Sequence, residues 1–222
     1  SPLSLIVSGF SPVEDISIAV TPELKNVKDS VLLFIDLAKG KKRMGGSILA
    51  QVNNDMGGDS PDVECTKEMP SFVESIHELL SLKKILAYHD RSDGGLVTTL
   101  SEMSFASRLG LQVNLDLIVK DKKQLLECLF NEELGVVIQV HNKDLDLVYE
   151  ILSKTGLKKH IYNIGTLSKN QTLDFDCNNH RVLSLPLKDL LENWYQVGFE
   201  IQKIRDNPIT AKDEYRADTN LN

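Results

Sequence analysis

The chain has no run of about 18 apolar residues, the length a membrane-spanning helix needs, so no such helix is expected in its 222 residues. Its start, "SPLSLIVSGFSPVEDIS", has no basic region and meets Glu14 and Asp15 early, unlike a secretion signal. Cysteine is scarce: Cys65, Cys128 and Cys177 lie far apart, with no CxxC pair among them. That pattern argues against a disulfide framework or a structural zinc site and suggests a reduced, cytoplasmic protein. Cys128 and Cys177 fall in apolar settings and read as buried structural thiols. No internal repeat, low-complexity tract or GxxxxGK[ST] phosphate loop is present.

Present instead are ordinary globular proportions, 41% apolar and 26% charged, with a net charge of −7. The densest basic cluster, Lys39 to Arg43 in "KGKKR", is too short for a nucleic-acid footprint and lacks interleaved aromatics. A single phosphate remains compatible with it.

Strand-like and helical periods alternate along the chain. Nearly continuous apolar runs at 31–37 and 135–140 predict buried strands, and 84–90, 111–117, 160–167, 172–177 and 181–185 predict further ones. The last two form a hairpin across Asn178-Asn179. Helices are expected over 47–57, from Pro70 to about Leu80, from Leu96 past Met103, over 121–131 and 143–154, and from Pro186 to about 204. The N-terminus reads as strand-like, and the last eighteen residues as a polar tail resembling a linker. This is an α+β (α/β layered) domain: a mixed β-sheet covered by helices, with the helices on one side as the leading architecture.

Three motifs offer chemistry. "HDRSDGG" (89–95) joins a strand end to a helix start, where unpaired N–H groups can cradle phosphate. Asp90 and Asp93 would repel that phosphate unless a magnesium ion stood between them. The plainer reading, favoured by spacing alone, is that Ser92 or Asp93 caps the helix. "RMGGS" (43–47) is either a second anion-binding turn assisted by Arg43 or a tight turn capped by Ser47. Glu132 and Glu133 in "FNEELG" could serve acid–base or metal chemistry, but a solvated acidic turn is the simpler reading. His77, His141, His160 and His180 read as surface or packing residues, and His89 should face away from Asp90 along the strand.

"AYHDRSDGGLVTTLSEMSFAS", "FNEELGVVIQV", "KKRMGGSILAQV" and "SLIVSGFSPVEDISIAVTPEL" together resemble the large, glutamine-dependent formylglycinamidine ribonucleotide synthetases. "WYQVGFEIQKIRDNPITAKDEY" is similar to the segment of that family leading toward its glutaminase domain. The resemblance implies that residues 1–185 are the second B subdomain, similar to the C-terminal domain of aminoimidazole ribonucleotide synthetase. It makes residues 186–222 a C-terminal helix and a linker toward a glutaminase domain outside this chain.

It also implies a parent ligase using ATP, magnesium and glutamine-derived ammonia, in which phosphorylation turns an amide oxygen into a leaving group that ammonia displaces. Asp90 becomes a Mg2+ ligand and Ser92 an ATP/ADP contact at an auxiliary site completed by other synthetase subdomains. No residue here inherits a catalytic role, and neither nucleic acid nor membrane is an expected partner. The competing reading is a non-catalytic scaffolding module, with an independent small-molecule kinase a weaker third.

Overall fold

The computed structural model describes residues 6–13, 15–63, 66–119 and 121–221. An interior strand of its sheet is β1 (Ser30–Asp36), buried at all seven positions. Around it run β2 (Ala87–Asp90), β3 (Gly110–Asn114), β4 (Gly135–His141), β5 (Ile161–Ser168), β6 (Thr172–Cys177) and β7 (His180–Pro186). Their spatial order is β2-β4-β1-β5-β3-β6-β7. β3 and β6 pair in parallel, and the other neighbours are antiparallel. The β6–β7 hairpin turns at Asn178 and Asn179, both with positive φ, which asparagine tolerates better than most residues.

Among the described residues seven α-helices accompany the sheet: α1 (Ile48–Val52), α2 (Met69–Ser81), α3 (Gly95–Ser107), α4 (Leu125–Phe130), α5 (Leu145–Ser153), α6 (Leu187–Arg205) and α7 (Pro208–Asp218). They cover both faces, which corrects the one-sided arrangement. Val31, Leu33 and Ile35 of β1 join the core made with α2 and α5, whereas Leu32 and Phe34 join the core containing Leu96, Leu100 and Met103 of α3. A strand apolar at successive odd and even positions must bury both of its faces. Among the described residues no helix is long and apolar enough to cross a membrane.

Three local departures have physical causes. The N-terminal segment forms no strand in its described part: Ile6, Val7 and Phe10 are exposed, with no neighbouring strand to complete their hydrogen bonds. α1 stops at Val52 because Asn54 turns left-handed and the Asp55 carboxylate accepts from the N–H groups of Met56 and Gly57. The polar tail, read as a linker, contains helix α7. Asn207 caps it by accepting from Ile209 N–H at 2.9 Å, and Pro208 occupies its first turn. Phe199 stacks on Tyr215 with ring centroids 4.4 Å apart, fixing α7 against α6. The apolar face of α6 is covered only in its first turns, since Val197, Ile201 and Ile204 are exposed.

Cys128 and Cys177 are buried free thiols, as read, and Cys65 lies outside the described residues. For Leu33, fully buried on the α2/α5 face, substitution by alanine should cost about 2–5 kcal/mol of stability in urea unfolding. Val197→Ala, on the open part of α6, should cost less than about 0.5 kcal/mol.

Candidate functional site

Strand β2 delivers its side chains alternately to the two sides of the sheet. Tyr88 and Asp90 share one side, where burial first, and then a hydrogen bond with Asp90 and that carboxylate's charge, push the Tyr88 phenol pKa up. His89 points the other way, as the pleat predicts, with Nε2 2.5 Å from Glu102 Oε2 on α3. Beyond Asp90 the chain leaves the sheet. Arg91 turns inward and is buried, whereas Asp90, Ser92 and Asp93 remain exposed. The Asp90 carbonyl accepts from Thr99 Oγ1 at 3.1 Å, anchoring the turn to the first turns of α3.

The glycines are required by position. Gly95 has φ +70°, and a Cβ added there would lie 2.7 Å from the carbonyl oxygen of Asn131. Gly94, at φ +79°, is the N-cap of α3 and carries no side-chain cap. Ser92 and Asp93 therefore do not cap the helix, contrary to the simpler reading. The cap comes from elsewhere: Gly94 N–H donates to Glu132 Oε1 at 2.8 Å.

That same oxygen accepts from Ile48 N–H, also at 2.8 Å, at the start of α1. One carboxylate oxygen thus occupies both helix starts that the sequence offered as anion cradles. Ser47 meanwhile caps α1 as expected, accepting from Ala50 N–H at 3.2 Å. Glu133, whose side chain is 0% exposed, holds Arg43 by two bonds: Nε to Oε1 at 2.6 Å and Nη2 to Oε2 at 2.8 Å. The Arg43 N–H adds a third at 3.1 Å. A solvated acidic turn is therefore wrong for "FNEELG": its two glutamates are the ties between "RMGGS" and "RSDGG".

Arg91 completes the junction. Nε donates to the Glu133 carbonyl at 2.6 Å, and Nη2 donates to the Leu134 carbonyl and to Asp36 Oδ1, each at 3.0 Å. The guanidinium also sits 4.9 Å from the centre of the Phe34 ring. Burial lowers its pKa, and Asp36 acts in the opposite direction. Among the described residues no group of three or more His, Cys, Asp or Glu side chains assembles that could hold a metal ion.

Against this geometry, comparison with known proteins is informative. Residues 29–178 match the family model described as AIR synthase related protein, C-terminal domain. The chain belongs to this family. It is 41% identical over 219 residues to the phosphoribosylformylglycinamidine synthase of Schizosaccharomyces pombe, covering 96% of this chain and 16% of that protein. The fold is similar to that of Thermotoga maritima PurL complexed with ATP, with a TM-score of 0.62 at 16% identity, covering 79% of this chain and 27% of that one. Hydrogenase maturation protein HypE in complex with ATP gives a TM-score of 0.53 at 15% identity, covering 78% and 56%.

In this AIR synthase related domain, sequence reasoning singled out the three motifs but missed their meeting, and with it Arg91 and Asp36. The available signal was an arginine between two aspartates at a strand end, with a lone Asp36 closing an apolar strand. Glu133→Ala should destabilise the domain by about 3–5 kcal/mol, because it breaks a buried, two-bonded ion pair with Arg43. Adding Arg43→Met should recover part of that loss, read as the midpoint of urea unfolding. Gly95→Ala should also destabilise, since both its backbone angle and the Asn131 carbonyl oppose a Cβ.

Proposed function

We propose that this domain supplies one edge of a magnesium–nucleotide site within a larger ligase of purine biosynthesis. Asp90 is the magnesium ligand and Ser92 the contact to ATP or ADP. The observation that carries the reading is the division of labour at the turn. Glu132 satisfies the α3 start from behind, so Asp90, Ser92 and Asp93 face solvent without a capping duty.

The donor set fits part of a hard-cation shell: exposed carboxylate oxygens and a hydroxyl, of the kind magnesium shares with phosphate oxygens and water. Bound there, the ion would neutralise the repulsion between Asp90 and a nucleotide phosphate. The residues of this chain hold the turn rigid, orient its carboxylate outward and keep the neighbouring glutamates out of the site. The remaining ligands belong to other synthetase subdomains.

The parent reaction, supported by the identity to the yeast synthase, converts formylglycinamide ribonucleotide, ATP and glutamine to formylglycinamidine ribonucleotide, ADP, phosphate and glutamate, in the cytoplasm. This domain by itself should be inactive, with a glutaminase domain and the other synthetase subdomains as its partners in the longer protein.

Titration calorimetry of the 222-residue chain with ADP should give a Kd of order 1 mM, strengthened by magnesium. Asp90→Asn should remove the magnesium dependence and leave the urea midpoint unchanged. A Kd below about 1 μM would mean that the site is complete within this chain. An unchanged magnesium effect in Asp90→Asn would exclude Asp90 from it.

A further inference from the structure

The basic loop 39–42 is the sequence motif that the nucleotide reading leaves unused. With the end of β1, the start of β5, and α4, it encloses a cavity of about 150 Å³. Its walls include Asp36, Lys42, Arg91, Asn131, His160 and Tyr162. Asp36 is already engaged, accepting from Arg91 Nη2 at 3.0 Å, Gly40 N–H at 2.6 Å and Ala38 N–H at 3.3 Å.

Lys39 pairs with Glu68 at 2.7 Å, whereas Lys42 is held by neutral groups. Lys42 Nζ donates to the Ile118 carbonyl at 3.2 Å and to Gln124 Oε1 at 3.3 Å, both neutral acceptors. Arg91, whose side chain is 3% exposed, makes its bonds through Nε and Nη2. His160 Nδ1 stands 3.4 Å from Tyr162 Oη. Cys128 is also on the wall: burial pushes its thiol pKa up to about 11, Lys42 and Arg91 act to lower it, and Asp36 acts to raise it. Cationic and neutral donors facing a shielded, polar volume favour an anion over bulk water, because the interaction is less screened there.

We propose that this cavity binds one tetrahedral oxyanion, either free phosphate or the phosphoryl end of a small molecule. Lys42 and Arg91 are its charged contacts, and the His160 ring and the Tyr162 hydroxyl supply further ones. The site is separate from the magnesium edge. Asp90 and Ser92 face solvent from the turn, whereas Arg91 between them turns inward to the cavity. It needs neither magnesium nor another domain.

The test is a two-dimensional NMR titration of the 222-residue chain with sodium phosphate, at constant ionic strength and with EDTA present. Glycerol 3-phosphate and acetate are titrated in parallel. Saturable shifts are expected at the amides of 39–42, 118 and 160–162, with little response to acetate. Equal saturation by glycerol 3-phosphate assigns the cavity to a phosphoryl end; saturation by phosphate alone assigns it to the free ion. Lys42→Gln should weaken the apparent affinity at least tenfold, about 1.4 kcal/mol, and His160→Gln should weaken it less. If Lys42→Gln loses spectral dispersion, His160→Gln decides. Linear shifts without saturation, shifts spread equally over other lysines, or affinity unchanged in the folded variants would overturn the proposal. EDTA separates these outcomes from failure of the magnesium–nucleotide reading.

Discussion

A carboxylate with no exposed surface must be matched at once, or the fold loses several kcal/mol. Glu133 is such a group, and its match is Arg43, ninety residues earlier in the chain. That single demand draws the loop before α1 to the start of β4. Glu132, the preceding residue, then binds the starts of α1 and α3 through one oxygen. Arg91 takes up the carbonyls of Glu133 and Leu134 and reaches Asp36 at the end of β1. Four distant segments are thereby fixed at one end of the sheet.

The consequence for function is a separation of sides. One Glu132 oxygen accepts a backbone N–H at each of the two helix starts, so a carboxylate already stands where an anion would bind. What remains outward from "HDRSDGG" is a carboxylate, a hydroxyl and a second carboxylate, chemistry suited to a hard cation shared with a phosphate. What remains inward is a guanidinium beside a lysine-lined cavity. Alternating side chains at the end of one strand thus separate an acidic edge from a basic pocket. The proposed roles of this family member follow from that alternation rather than from any catalytic group of its own.

Much of the fold was legible because burial leaves a period. The continuous run 31–37 marked the fully buried strand β1, and the spacing of Leu96, Leu100 and Met103 marked α3. Asn178-Asn179 marked the hairpin, and the pleat placed His89 opposite Asp90. Two-sided cover was implied by the same run, since β1 is apolar at both odd and even positions, but single-strand patterns do not say where helices go. Helix α7 was obscured by its polarity: it rests on α6 largely through the Phe199–Tyr215 stack and Ala211. The buried charge junction was least legible. Charged residues ordinarily lie in water, and the pairing of Glu133 with Arg43 depends on a sheet that must form first.

The central claim is that Glu132 holds the two glycine turns as one unit. Amide hydrogen exchange, resolved by residue, tests it at Ile48 and Gly94, whose N–H groups share that oxygen. In Glu132→Ala both amides should lose protection together, by a similar factor, while β1 amides such as Leu33 keep theirs. Loss at one amide only, or unchanged protection at both, would contradict the account.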